Sequence, residues 1–290
     1  MDRVTAFEAE RERLFAIAYR MLGSANDAAD VVQEAYLRWQ SARADGVESP
    51  RAYLATVVTR LAIDHLKSAR VQREQYVGPW LPEPLVEDAA RSPADQLLLA
   101  ESLSMAFLLV LDELGPVERA VYILRELFDY DYDDVARIVG KTPDHCRQLL
   151  HRARARVVAI RDRTAPTPQA EQERLMQQFL ATLATGDIET LASMLADDVV
   201  AWSDGGGKRT AARKPIRGPM RVARFFTSLW RKAAANVVVH IVRVNGTPGL
   251  VAYLGGRPYS VVAFDVAGGR IAAVRTVVNP EKLRHLPSLQ

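Results

Sequence analysis

The sequence predicts a multidomain fold: two all-α modules, a helical bundle and a helix-turn-helix, followed by an α+β cone. Three observations carry this expectation. Tyr132 to Ile160 reads as two short amphipathic helices broken at Gly140. A proline-dense interval holding Pro79, Pro82, Pro84 and Pro93 interrupts the helical half. Past residue 166, β-branched runs separated by Asn-Gly and Gly-Gly pairs replace the helix-only pattern. These shifts divide the chain into a bundle over 1–75, a linker over 76–94, a helix-turn-helix module over 95–163 and the cone over 164–290.

With 49% hydrophobic and 25% charged residues, the 290-residue chain has the composition of a soluble globular protein, which excludes disorder as its main state. The net charge of +3 is unevenly spread: residues 1–165 hold 22 basic and 26 acidic groups, residues 166–290 hold 16 and 9. The helical half therefore carries its positive charge in short local patches, suited to docking with help from a larger partner rather than to coating nucleic acid by field alone. A single cysteine, Cys146, excludes an internal disulfide and a cysteine-paired metal site, and reads as a small core residue or a redox-sensitive thiol. With no apolar run of spanning length and no signal-peptide pattern, a cytoplasmic protein without membrane contact is expected.

Taken in order, residues 5–22 form an amphipathic helix (Leu14, Ala18, Met21 and Leu22 inward) ending at Gly23, and Ser24 or Asn26 can cap the next. That helix, Asp27 to Gln40, packs through Val31, Val32, Ala35 and Trp39 and leaves Asp30, Gln33, Glu34, Leu37 and Arg38 outside. An exposed leucine among polar groups points to a protein contact. Ser49 and Pro50 open a long third helix whose Arg51, Arg60, His65, Lys67 and Arg70 form a layout compatible with a nucleic-acid backbone. In the linker, Trp80 and Leu81 need somewhere to dock, so W-L-P-E-P-L is expected to be a contact segment. Residues 95–114 and 117–128 give two helices broken at Gly115-Pro116, and Asp129, Asp131, Asp133 and Asp134 cap the helix that follows, metal ligation being the alternative.

The helix-turn-helix itself is signalled by Gly140 as a helix end, by Thr142 as a cap, and by Pro143 and Asp144 in the first turn. Cys146, Leu149, Leu150, Ala153 and Val157 recur at inward spacing. His145, Arg147, Gln148, His151 and Arg152 face out, the first three placed to reach base edges, while His151, Arg152, Arg154 and Arg156 further along suit phosphate. The cone is read from helices over 169–185, 191–195 and 220–230, then strands over 237–244, 250–254, 259–266 and 271–278 joined by Asn245-Gly246, Gly255-Gly256 and Gly268-Gly269. An interior cavity is expected, with Asp198, Asp204 and His240 as the acid or base candidates of an enzyme, though His240 reads more simply as a core or pocket-wall residue. Gly205-Gly206-Gly207-Lys208 fails the spacing of a phosphate-binding loop and is read as a tight turn presenting Asp204 and Lys208.

D-A-A-D-V-V-Q-E-A-Y-L-R-W, S-P-R-A-Y-L-A-T-V-V-T-R-L-A-I-D-H-L-K and the helix-turn-helix with L-L-H-R-A-R, in this order, resemble the extracytoplasmic-function sigma factors of bacterial RNA polymerase. The C-terminal third resembles the SnoaL-like branch of the NTF2-like fold, which a subgroup of those factors carries together with a W-L-P-E-P-L-like linker, a D-G-G-G-K-like loop and an N-P-E-K-L-like tail. The resemblance implies that Asp30, Gln33, Glu34, Leu37 and Arg38 face the polymerase clamp. It places Arg51, Arg60, His65, Lys67, Arg70 and the loop from Ser41 to Pro50 on the minus-ten element, and His145, Arg147, Gln148, His151 and Arg152 on the minus-thirty-five element, near the polymerase flap. It also implies regulatory contacts between Trp80, Leu81, Pro82, Glu83 and Pro84, the loop Asp204, Gly205, Gly206, Gly207 and Lys208, and the tail Asn279, Pro280, Glu281, Lys282 and Leu283. The leading expectation is thus a non-enzymatic initiation factor for core RNA polymerase and promoter DNA, needing no cofactor or metal. The alternatives are a small-molecule enzyme or sensor, with an unknown ligand in the cavity, fused to a DNA-binding module, and a repressor acting without polymerase.

Overall fold

The computed structural model describes residues 2–42, 49–86, 103–161, 167–233 and 236–289. They form two compact units: Met1–Gln75 with Leu108–Ile160, and Tyr76–Phe107 with Arg161–Gln290. The helix-turn-helix thus joins the N-terminal bundle, and the proline-rich interval joins the C-terminal cone.

In the first unit, α1 (Arg3–Leu22), α2 (Ala25–Ser41) and α3 (Pro50–Glu74) form the bundle. α1 stops at Gly23, whose φ of 66° turns its N–H onto the Tyr19 carbonyl at 2.7 Å. Ser24 then caps α2 by accepting the Asp27 N–H at 3.1 Å, and Ser49 caps α3 from Ala52 N–H at 3.3 Å. Leu14, Ile17 and Met21 pack with Val31, Val32 and Trp39 and with Leu54, Val58 and Ala62, all buried. The second half holds α4 (Met105–Asp112) from Leu108 onward, α5 (Pro116–Tyr122), a π-helical turn (Ile123–Leu127), α6 (Tyr132–Val139) and α7 (Pro143–Arg161) up to Ile160. The sequence break at Gly115-Pro116 is where α5 begins; Leu97 and Leu98, expected in the helix before it, lie outside the described residues.

Arginines join the two halves of this unit. Buried Arg119 donates to the Met21 carbonyl at 2.6 Å and pairs with Asp112 at 2.6 Å. Arg60 donates to the carbonyls of Ile138 and Arg137, each at 3.0 Å. Both cations thereby satisfy acceptors that a helix leaves open at its C-terminal end. Arg13 adds a hydrogen bond to the Tyr130 hydroxyl and lies 4.8 Å from that ring's centroid.

In the second unit, α8 (Gln169–Thr185), α9 (Ile188–Ser193) and α10 (Pro219–Ala233) cover a six-stranded sheet. The strands are β1 (Leu195–Asp204), β2 (Ile216–Arg217), β3 (Val237–Val244), β4 (Thr247–Leu254), β5 (Arg257–Ala267) and β6 (Arg270–Val277), in the order β2-β1-β6-β5-β4-β3. Among the described strands only the β1–β6 pair is parallel. Asn245-Gly246, Gly255-Gly256 and Gly268-Gly269 all have positive φ at both positions, the two-residue turns that the glycine pairs announce. β1 is missing from the sequence reading: a shift in its pairing between Leu195 and Val200, at the exposed Asp197 and Asp198, breaks the alternation a strand should show.

Where the interior cavity is expected, the described residues form an apolar core. The sheet's inner face is filled by Phe179, Phe226 and Phe264, with ring centroids 5.8 and 5.2 Å apart, and by Leu175, Val222, Ile271 and Val274. Since Phe179 meets both other rings, Phe179→Ala is expected to lower the unfolding free energy by about 3–5 kcal/mol, read from the midpoint shift of urea denaturation.

Candidate nucleic-acid interface and linker cradle

On α7, Cys146, Leu149, Leu150, Ala153 and Val157 are buried against the rest of the first unit, so Leu149 is a packing residue. Burial pushes the Cys146 thiol up, which leaves it a protonated core group. His145, Arg147, Gln148, His151 and Arg152 are exposed along one face. The helix begins at Thr142, which accepts the His145 N–H at 3.2 Å, and Asp131 caps α6 from Asp134 N–H at 2.7 Å. Arg147 is held by an ion pair to Asp144 and by the Tyr132 ring, 5.0 Å from its centroid. Arg154 and Arg156 have other partners than the phosphate expected of them: Arg154 grips Glu126 in two bonds of 3.2 and 2.7 Å, and Arg156 meets Glu118 at 2.9 Å.

The α3 cations do not form one cluster. Arg51 lies in a cleft with Arg13, Ser49, Phe128, Tyr130 and Asp131, Arg60 holds the α6 carbonyls, His65 sits 3.4 Å from Asp27 and Lys67 2.8 Å from Asp64. The Arg70 side chain and residues 43–48 of the Ser41 to Pro50 loop lie outside the described residues. On α2, Asp30, Gln33 and Arg38 are exposed, Leu37 is 55% exposed, and Glu34 pairs with Arg38 at 2.8 Å.

In the second unit the linker lies in a cradle built by the glycine loop and the tail. Asp204 is fully buried. Its carboxylate accepts from the Tyr76 hydroxyl at 2.5 Å, the Leu81 N–H at 2.9 Å and Lys282 Nζ at 2.8 Å. Lys282 also donates to the Leu81 carbonyl, so one acid and one base take both polar groups of a single linker peptide residue. The ammonium stands 4.3 Å from the Trp80 ring centroid and 5.0 Å from that of Tyr76. Further along, Asn245 exchanges two hydrogen bonds with Leu85 at 2.7 and 3.1 Å, and His285 Nε2 donates to the Pro84 carbonyl at 2.8 Å.

Leu81, Pro82, Glu83 and Pro84 are buried by this docking. The loop must be glycine because of what it touches. A Cβ on Gly206, at φ 56°, would run into Asn279 Nδ2 and the Tyr76 hydroxyl, and one on Gly207 would press on Val77 at 3.3 Å. Asn279 bonds Tyr76 at 2.9 Å and caps the 3-10 turn Pro280–Leu283 from Glu281 N–H at 3.1 Å, with Leu283 buried beneath it. Lys208 stays outside, 3.4 Å from Glu281. The linker contacts of Tyr76, Asn245 and His285 escaped the sequence reading, although Asn245 is read there as a turn residue, because a polar side chain that pairs across 128 to 201 residues leaves no local pattern.

The enzyme candidates do not converge. Asp198 is exposed, Asp204 is occupied by the linker and Lys282, and His240 is exposed edge-on to Tyr253 at 5.6 Å. The core placement of His240 is therefore corrected. β3 is the sheet's edge strand, and alternation gives the phase of a strand without saying which phase faces solvent; Val238, on the same face, is 53% exposed. Among the described residues no cluster of His, Cys, Asp or Glu could hold a metal, and no helix is long and apolar enough to cross a membrane.

Removing one partner of the buried pair strands the other charge. Asp204→Asn and Lys282→Met are each expected to cost about 3–5 kcal/mol, and the double variant clearly less than their sum, measured by denaturation and by hydrogen exchange of the linker amides over 76–86. Burial, with its bond to Asp204, also raises the Tyr76 phenol well above the ordinary tyrosine range. Its contribution to docking is then complete at neutral pH and is lost as pH rises past about 10, visible as faster linker cleavage by an alkali-tolerant protease.

Comparison with known proteins agrees with this organisation. Residues 6–71 match the model of Sigma-70 region 2, residues 104–157 that of Sigma-70 region 4, and residues 176–274 that of the SnoaL-like domain. The ECF RNA polymerase sigma factor SigJ of Mycobacterium tuberculosis is 35% identical over 98% of this chain and 94% of its own length. The probable ECF sigma factor SigI of the same organism is 32% identical over 96% and 93%. The crystal structure of SigJ superposes with a TM-score of 0.78 at 33% identity, covering 98% of this chain and 99% of that one. Region 2, region 4 and a SnoaL-like domain in this order, shared end to end with such relatives, make the chain a member of the extracytoplasmic-function sigma factors of RNA polymerase.

Proposed function

We propose that the protein binds core RNA polymerase, directs it to promoters in the cytoplasm, and adjusts that activity through its own SnoaL-like unit without covalent chemistry. The observation that carries the regulatory part is the docking of residues 76–86 in the cradle around Asp204 and Lys282. In this reading the outer face of α2, with exposed Leu37 at its centre, meets the polymerase clamp, and the region 4 module lies at the flap. The exposed face of α7 reads the upstream element: Arg147 and Gln148 suit purine edges, His151 and Arg152 the adjoining backbone. The start of α3 at Arg51, with His65, Lys67 and Arg70, serves the downstream element.

Arg60 has a double use in this scheme. It holds the α6 carbonyls while the two helical halves are packed together, and it turns to phosphate when they part to span a promoter. Linker docking sets how far they can part. Eleven residues released from the cradle supply a tether of about 36 Å at about 3.3 Å each, so docking biases an equilibrium between short and long reach. The filled inner face of the cone favours this docking role over that of a ligand sensor.

Transcription with purified core enzyme on a genomic promoter library tests the proposal. The full chain is expected to give discrete start sites, and a chain ending at 161 a changed set or level; absence of any directed initiation by the full chain overturns the reading. Arg147→Ala is expected to weaken promoter use by about 1–3 kcal/mol with altered base preference, read from initiation rates on promoters varied one base at a time.

A further inference from the structure

Between Asp204 and Asp265 the sequence holds eleven lysines and arginines and no acidic residue. Several of these cations share one helix face. At about 100° per residue, Arg221, Arg224, Arg231 and Lys232 of α10 fall within an arc of about 100°, opposite the buried Val222, Ala223, Phe226 and Thr227. All four are exposed, and among the described residues none of them forms an ion pair.

On other helices many cations have an acidic partner within one turn, although Arg51, Arg152 and Arg174 are exposed without one among the described residues. Glu8–Arg11 and Glu10–Arg13 on α1, Glu34–Arg38 on α2, Asp64–Lys67 on α3, Asp134–Arg137 on α6 and Asp144–Arg147 on α7 are all paired at i,i+3 or i,i+4 spacing. α10 has only like charges, which repel one another and weaken an isolated helix. A face made for solubility alone would mix signs.

We propose that this face of α10 binds the phosphate backbone of duplex DNA, giving the SnoaL-like unit a sequence-independent hold on the nucleic acid that the helical unit reads; the inference rests on the sigma-factor reading. The stripe from Arg221 to Lys232 is about 16 Å long at about 1.5 Å per residue, and a duplex presents about ten backbone charges over that length. Its centre favours phosphate over a protein partner. Arg224 and Ser228 occupy the middle of the arc, where a protein interface would place an apolar or aromatic anchor.

The test compares the full chain with R221Q/R224Q/R231Q in equilibrium binding to a non-promoter duplex and a promoter duplex over a range of KCl, without polymerase. With about 0.9 of slope lost per missing phosphate contact, the log–log salt dependence is expected to flatten by about 2 to 3 on both duplexes alike. The triple Arg→Lys variant is expected to keep the original slope, and an unchanged unfolding midpoint shows that the Gln variant is folded. A salt slope equal to that of the unsubstituted chain on both duplexes overturns the proposal. Because the duplex measurement needs no polymerase, and the sigma-factor reading is judged by initiation on core enzyme, either can fail alone.

Discussion

The C-terminal unit depends on one buried ion pair, Asp204 with Lys282, whose charges are removed from water and compensated within the fold. Such a pair is expensive to bury and still more expensive to break, so it persists only where both members have their remaining bonds satisfied. Here the missing bonds are supplied by the linker: the Leu81 N–H and carbonyl and the Tyr76 hydroxyl complete the shell. The end of β1, the glycine turn, the tail and the linker therefore form a single polar network. The requirement for bare glycine at Gly206 follows from how closely Asn279 and Tyr76 approach it.

The helical unit is held on a different principle. Its halves meet through arginines that serve the open carbonyl ends of helices, Arg119 at Met21 and Arg60 at Arg137 and Ile138. Arg119 is buried and works with Asp112, whereas Arg60 reaches its acceptors from the surface. An exposed guanidinium on neutral carbonyls exchanges partners at small cost, since water or phosphate can replace them. The first contact suits a permanent junction and the second a reversible one.

Most of the architecture was legible locally. Caps at Ser24, Ser49, Asp131 and Thr142, the stop at Gly140, and the paired turn residues of the β hairpins act within a few positions, so their chemistry can be read from neighbours in the chain. W-L-P-E-P-L, D-G-G-G-K and N-P-E-K-L were expected to meet, and the structure brings them together through Leu81, Gly206, Asn279 and Lys282. Three things were not legible. β1 hides behind a bulge and two exposed aspartates, His240 sits on an edge strand whose solvent face alternation cannot identify, and Arg60, Arg154 and Arg156 look like free cations until carbonyls and carboxylates from distant segments arrive beside them. In each case the deciding partner is remote in the chain.

The cradle grips Leu81 by its main chain, and the segment that presents this peptide is stiffened by Pro79, Pro82 and Pro84. Proline restricts a chain before it binds as well as after, so little conformational freedom remains to be surrendered when the segment seats. Seating is then closer to a latch meeting its catch than to a coil folding up. A latch of this kind recognises an extended outline more than particular side chains, which makes short proline-stiffened peptides natural competitors for the seat.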